Sequence, residues 1–299
     1  MTMELRVLQY FLAVAREQSI SAAAASLHLS QPTLSTQLKA LEEELGKQLL
    51  VRGVRGSRKV TLTDEGMMLR KRAEEILDLV HKAEREISLS DAAIAGDVSI
   101  GAAETHAFRL LAQAAQNARQ AHPLIHFHIS SGDRVSVLED LDKGLTDFAL
   151  LFGEIDPAKY HFLALPCKDV WGTLMRRDAP LAQRSRIRAE DLWDQPLILS
   201  RQEFQGSAIH RFLGKDREEL DIVATYNLSY NGSLLVEAGL GYGLCLDQIL
   251  HVSGDSGLCF RPLEPPLEAE LHVIWKKYQL LSKAAERFLQ SLRAVCAAP

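Results

Sequence analysis

Apolar residues recur along this chain with two different periods. In roughly the first 90 positions the period is helical. Leu5, Leu8, Leu12 and Ala15 share one face, which predicts a core helix. The stretch from Ile20 to Leu50 then reads as two short helices with a tight break between them. Ala22, Ala23, Ala24 and Ala25 let the first pack closely against a neighbour, and Leu27 and Leu29 straddle the break. Ser30 is a good N-cap, and Pro32 falls in a first turn, where its missing N–H costs nothing. Leu34, Leu38, Leu41 and Leu45 recur at spacings of 4, 3 and 4, the buried stripe of a second helix at about Gln31–Glu44. Gly46, Gly53 and Gly56 with β-prone Val60 and Thr61 interrupt the pattern and predict a short two-stranded loop. Thr63 is a fair N-cap, followed by Asp64 and Glu65 at the positive end of a helix dipole. From there Leu69, Ala73, Ile76, Val80, Ala83 and Ile87 alternate steps of 4 and 3, the seam of a long helix.

After Ile94-Ala95-Gly96 the period changes. Short strands at Val98–Ala102, Ile125–Ile129 and Phe148–Phe152 alternate with helices at 105–121 and 133–143, which implies parallel pairing with right-handed crossovers. A second unit is expected to begin near Leu165, with strands Trp171–Met175, Leu197–Leu199, Ile222–Tyr226 and Gly243–Leu246. Its helices fall at 189–192, 207–213 and 232–238. Near Pro262–Pro266 the chain crosses back, giving strand Leu271–Trp275 and a closing helix at 282–295. The expected fold class is α/β with an N-terminal, mainly α, winged helix-turn-helix, a long linker helix, and a two-lobed α/β domain. Boundaries fall at 1–62, 63–92 and 93–299, with lobe I at about 93–164 and 266–299 and lobe II at about 165–265.

Composition changes this picture in one respect. The 299 residues carry a net charge of −5, which argues against a general nucleic-acid binder, but the average hides a gradient. Residues 1–62 hold 8 Lys/Arg against 5 Asp/Glu, a net of +3, whereas residues 91–299 hold 21 against 27, a net of −6. Positive charge is concentrated where phosphate attraction would use it. Cys167, Cys245, Cys259 and Cys296 are widely spaced, as expected of free thiols in a reducing compartment. No apolar run approaches the roughly 20 residues of a membrane span, so a cytoplasmic location is expected.

The polar side of the second helix carries chemistry suited to DNA. Ser30, Gln31, Pro32, Thr33, Ser35, Thr36 and Lys39 offer donors, acceptors and an apolar contact for base edges and phosphates. Arg52, Arg55, Arg58 and Lys59 follow within eight positions, with no acidic residue among them, like a wing reaching for backbone phosphate. Taken alone, the hairpin also fits an ordinary pair of packed helices. The order of motifs is more specific. Ala23–Ala24, Leu27, Ser30–Gln31–Pro32, Leu34–Ser35, Leu41–Glu42, Leu45–Gly46, Leu49, Arg52, Leu62–Thr63 and Gly66 resemble the winged helix-turn-helix of LysR-type transcriptional regulators over the first quarter of the chain. Leu50 departs from the family's usual Phe, and the segment between Arg52 and Leu62 is longer than common.

The resemblance implies a periplasmic-binding-protein-like sensor domain, and Leu235–Gly241 (L-V-x-A-G-x-G) also resembles that family. It implies dimerisation through the seam Leu69, Ala73, Ile76, Val80, Ala83 and Ile87; a helix packed on its own domain is the alternative. Ligands of such sheets bind at strand carboxyl ends. The candidates are Ala103, Glu104, Thr105, His106, Ser130, Ser131, Phe152, Ser200, Arg201, Gln202, Ser229 and Asn231, with Thr105, Ser131, Ser200 and Asn231 foremost. Each hydroxyl or amide among them also fits a plain cap. The expected partners are double-stranded promoter DNA, a small-molecule effector, further copies as a homodimer or homotetramer, and RNA polymerase, with no membrane. No catalytic constellation, cofactor motif or metal site is expected, since His122, His126 and His128 lack acidic or Cys support. The competing class is a solute-binding or enzymatic α/β protein whose N-terminal hairpin serves only assembly.

Overall fold

A computed structural model describes residues 3–52, 59–88, 94–201 and 208–298. The chain divides into two compact units, Met1–Ser88 and Leu89–Pro299.

The first unit holds helices α1 (Leu5–Glu17), α2 (Ile20–Ser26) and α3 (Gln31–Leu45), strands β1 (Leu50–Arg52) and β2 (Val60–Leu62), and helix α4 (Asp64–Ser88). Its core collects Phe11, Val14, Ala23, Ala24, Leu34, Leu38, Leu41, Leu49, Leu50 and Val60. Leu50 is buried there, so the departure from Phe is an exchange of one core hydrophobe for another. Ser19 and Ser30 cap α2 and α3 by accepting the Ala22 and Thr33 amides at 3.3 and 3.2 Å. The turn between the helices closes because His28 takes a φ of 55° and the Leu29 amide reaches the Ala24 carbonyl at 2.8 Å.

Three motif residues tie this unit together. The Glu42 carboxylate accepts the amides of both Leu49 and Leu50, at 2.8 and 3.0 Å, and so fixes the exit from α3 into β1. Thr63 Oγ1 donates to the Gln48 carbonyl at 2.7 Å and accepts the Gly66 amide at 3.0 Å, capping α4 as expected. Gly66 lies so close to the strand that a Cβ there would stand 2.2 Å from the Leu49 carbonyl oxygen.

Helix α4 corrects the expected seam. Ala73 is fully buried and packs with Leu77 against Leu8 of α1, and Leu69 joins the same cluster. These positions serve the unit's own core because they lie in the half of α4 that runs beside α1, whereas 80, 83 and 87 continue the same face beyond it. Ile76, Ala83 and Ile87 are exposed and Val80 is half-buried.

The second unit is one nine-stranded mixed sheet, in order β4-β3-β5-β11-β6-β9-β7-β8, with β10 paired on β6. Its strands are β3 (Gly96–Ala102), β4 (Ile125–Ser131), β5 (Phe148–Phe152), β6 (Tyr160–Arg176), β7 (Leu197–Ser200), β8 (Ile222–Tyr226), β9 (Tyr242–Leu246), β10 (Leu258–Pro262) and β11 (Glu268–Lys276). Helices α5 (Phe108–Ala121), α6 (Arg134–Lys143), α7 (Ala208–Leu213), α8 (Ser229–Glu237) and α9 (Lys283–Ala297) cover its faces. The triples β4-β3-β5 and β8-β7-β9 are parallel, whereas β6 and β11 run antiparallel to their neighbours. The expected helix at 189–192 is a single 3-10 turn, and β10 has no counterpart in the sequence reading.

Two strands make the lobes one body. Leu165 belongs to the core of lobe I around Phe148 and Phe288, whereas Trp171 belongs to the core of lobe II around Leu197 and Leu199. The outward passage therefore lies within β6, after Leu165 rather than at it. The return lies within β11, where Ala269 packs in lobe II and Leu271 in lobe I, with a register shift between Glu270 and His272. The motif at 235–241 is structural: Gly239 has a φ of +82° past the end of α8, and a Cβ on Gly241 would meet the Pro196 carbonyl oxygen at 2.4 Å.

Two measurements test this packing. Replacing Gly66 by Ala removes a helix penalty of about 1 kcal/mol but forces a carbon into a backbone oxygen. A net loss of roughly 1–3 kcal/mol is expected, read as a lower urea midpoint; a raised midpoint would contradict the close approach. Burial pushes the Cys245 thiol up to about 12. Iodoacetamide at pH 8 is therefore expected to leave Cys245 intact in the native chain and to modify it in urea, as read by peptide mass spectrometry.

Candidate nucleic-acid interface and ligand cleft

In the first unit α3 turns its leucines inward and leaves Gln31, Pro32, Thr33, Thr36, Gln37, Lys39 and Ala40 exposed. Pro32, Thr36, Lys39 and Ala40 lie opposite the leucine stripe, whereas Ser35 is half-buried on its flank. Ser30 and Thr33 are partly used within the helix, their hydroxyl oxygens 2.7 Å apart. Gln37 and Ala40, both exposed, were missed by the sequence reading; the periodicity places Ala40 on the outward side and Gln37 at the edge of the leucine stripe. Glu43 and Glu44, also exposed, follow at the helix's far end. The acceptors and donors suited to base edges are thus confined to the first three turns, the part of such a helix that enters a major groove.

The loop after α3 is a hairpin with Leu50, Val51 and Arg52 paired to Leu62, Thr61 and Val60. Its second strand is fastened to α1 by the Val60 amide, which donates to the Gln18 carbonyl at 2.8 Å. Arg52 ends β1 and exposed Lys59 precedes β2, so both stand at the base of the turn. Arg55 and Arg58 lie outside the described residues.

In the second unit the expected ligand residues converge only in part. Ala103, Glu104, Thr105, His106 and Ser131 line a cavity of ≈ 360 Å³ together with Ala102, Phe108, Ile129, Gln248 and Ile249. A smaller cavity of ≈ 30 Å³ shares Ala103, Glu104 and Ile249 with it and adds Phe152, Ser200, Ser229, Trp171 and Asn227. Phe152 and Trp171 meet edge to face, their centroids 6.0 Å apart, where the lobes join.

Three candidates fall outside both cavities. Ser130 faces the other side of its strand, towards Gly101, by the two-residue alternation that points Ser131 inward. Asn231 is exposed on the third position of α8. Arg201 is exposed, and its charge helps hold the Asp133 carboxyl below its ordinary range, second to hydrogen bonds from Ser136. Gln202 lies outside the described residues. Gln248 and Ile249 were missed although they follow the carboxyl end of β9, where the topological rule already pointed.

Thr105 has a different task from the one expected of it. Its hydroxyl donates to the buried Asp169 carboxylate of β6 and accepts the Ala107 amide at 3.0 Å. Burial raises the pKa of Asp169, and the hydrogen bond from Thr105 opposes that rise. Arg109 Nη1 lies 2.6 Å from His106 Nε2; a guanidinium has only donors, so that imidazole nitrogen accepts. Glu104 Oε2 accepts the Ser229 amide at the start of α8, joining the loop of one lobe to a helix of the other.

Among the described residues, no cluster of three or more His, Cys, Asp or Glu side chains is placed to hold a metal. His128 Nε2 lies 3.4 Å from Asp97 Oδ1 at an exposed position. Nor is any described helix long and apolar enough to cross a membrane.

Comparison with known proteins agrees with both halves of this geometry. Residues 5–67 match the model of the bacterial regulatory helix-turn-helix protein, lysR family, and residues 91–297 match the LysR substrate binding domain. The chain is 30% identical over 295 residues to the HTH-type transcriptional regulator BsdA of Bacillus subtilis, covering 96% of this chain and 99% of that one. It is 27% identical to BudR of Raoultella terrigena, across 96% of this chain and 99% of the relative. CbnR, a LysR family transcriptional regulator, superposes with a TM-score of 0.74 at 19% identity, over 99% of this chain and 100% of that one. The same protein bound to its target DNA gives 0.73 over 98% and 100%. The chain belongs to the LysR family, and is a DNA-binding transcriptional regulator with a C-terminal effector-binding domain rather than an enzyme.

Proposed function

We propose that the outward face of α3 reads the promoter in the major groove, with Gln31, Pro32, Ser35 and Thr36 at base edges and Ser30, Thr33 and Lys39 at base edges or phosphates. Arg52, Arg55, Arg58 and Lys59 hold backbone phosphate from the wing. The observation that carries this is the inward leucine stripe of Leu34, Leu38 and Leu41, which leaves neutral polar side chains as the free face of the helix. Residues 1–62 then form the reading head, 63–92 a stem, and 93–299 the effector domain. The effector enters the larger cavity, touching Ser131 and Gln248. Its unequal affinity for two arrangements of the lobes changes how the heads sit on DNA. The protein acts in the cytoplasm, where promoter and RNA polymerase are found.

On this reading two copies associate through the part of the α4 seam that the unit's own core does not use. Ile76, Val80, Ala83 and Ile87, with exposed Leu79, form that stripe. Pairing gives two heads for a two-part site and compensates for the small positive charge of one.

Two variants test the reading. Thr36→Glu places a carboxylate on the outward face without touching the core. It is expected to weaken sequence-specific binding to DNA upstream of the gene by at least about 100-fold, roughly 3 kcal/mol, in a gel shift, with the unfolding temperature unchanged. Specific binding at wild-type strength would count against the assignment of α3. Ile76→Glu combined with Val80→Glu is expected to raise the dissociation constant of the dimer by roughly 100-fold or more in sedimentation, with circular dichroism preserved. A dimer of unaltered strength would place the interface elsewhere.

A further inference from the structure

The contact between Glu104 and Ser229 bears on which ligands the larger cavity admits; the inference rests on the reading that this cavity takes the effector. The α8 helix is nine residues long, and its first turn exposes amides that attract negative charge by direct donation and by the helix dipole. In many α/β proteins an external anion answers those amides. Here a carboxylate of the chain's own does so: Glu104, in the loop after β3, accepts the Ser229 amide across the gap between the lobes. Ser229 itself is buried and Glu104 half-buried, so the bond is partly withdrawn from water, where a charge-assisted bond is stronger.

The surroundings reinforce the assignment. Among the described residues, Glu104 is the one carboxylate lining the larger cavity, beside His106, Ser131, Gln248 and the apolar Phe108 and Ile129. Arg201 bears on Asp133 and lines neither cavity, so it does not recruit an acid there. The guanidinium of Arg109 donates to His106 on an exposed side and is absent from the lining. An incoming carboxylate would find its amide taken and a like charge beside it, a juxtaposition that costs rather than gains free energy. An amine or hydroxyl would instead meet a fixed acceptor.

We propose that Glu104 is a built-in carboxylate occupying the amide socket of α8, so that the cavity selects a small molecule presenting an amine or hydroxyl donor to Glu104 and excludes carboxylates from that position.

Chemical rescue tests this on the full-length protein without knowledge of the effector. Glu104→Ala removes the carboxylate, and acetate is its separated equivalent. Thermal unfolding of wild type and variant is compared in roughly 0.2 M sodium acetate and sodium chloride at matched ionic strength; the general stabilising effect of acetate cancels between the two proteins. The expected result is a lower Tm for the variant in chloride and recovery of at least half that deficit in acetate, with no such gain in wild type. An equal deficit in both salts overturns the proposal. So does a wild-type gain as large as the variant's, since the socket would then be open to external acids. If Glu104→Ala fails to fold, Glu104→Gln is read by hydrogen exchange. Faster exchange of the Ser229 amide than in wild type supports the proposal, and identical exchange overturns it. A gel shift on wild type in parallel separates the two levels: sequence-dependent DNA binding stands or falls independently of the rescue.

Discussion

The effector domain depends on two strands that do not stop at the boundary between its lobes. β6 and β11 pair with each other on both sides of the passage, from Tyr160 opposite Lys276 to Val170 opposite Glu268, with one register shift between. Ladder hydrogen bonds resist sliding but permit twist, so the relative freedom of the lobes is concentrated where the register changes. Asp169, just past that place on β6, binds the Thr105 hydroxyl, while Glu104, next to Thr105, binds the α8 amide. One short loop therefore touches the crossing strand on one side and the second lobe on the other. On the reading proposed above, an effector in the adjoining cavity contacts this loop directly, and its differential affinity is expressed through these two bonds.

The first unit has a comparable economy of parts. Its motif residues act mostly on backbone: Glu42 on the Leu49 and Leu50 amides, Thr63 on the Gln48 carbonyl, Gly66 by leaving room for Leu49. These contacts set the angle between α3, the hairpin and α4. The residues proposed for DNA contact are held by none of them, which leaves the outward face free to differ between proteins with the same frame.

Much of this frame was legible because its signals are local. The leucine spacing of α3, the Ser30 cap, the Thr63 cap and the alternation at 125–129 each require only a few neighbouring residues. Four things were not. Ala73 fits a partner's helix and the chain's own α1 equally well in sequence, and only the fold shows Leu8 against it. The length of β6 was hidden because it passes from one core to another, changing which residues face inward. Thr105 was read as a ligand donor because its partner, Asp169, lies 64 positions away. Strand β10 carries Arg261 and Pro262, weak strand formers, and exists because β6 offers it an edge.

Charge decides how these pieces combine. A net of +3 over residues 1–62 is small beside the field of a duplex, and Glu43 and Glu44 at the end of α3 oppose deep entry of that end. Each phosphate neutralised contributes a salt dependence of about 0.9 in the logarithmic slope, so a single head with few basic residues binds weakly and with only a shallow dependence on salt. Doubling the heads doubles the phosphate contacts without adding a basic residue to either copy, while the neutral polar face of α3 keeps discrimination separate from attraction. On the reading advanced above, affinity then comes from duplication along Ile76, Val80 and Ile87, and specificity from Gln31 to Thr36. The acidic excess of the remaining chain, a net of −6 over residues 91–299, follows the same logic, because it discourages that half from competing for the nucleic acid.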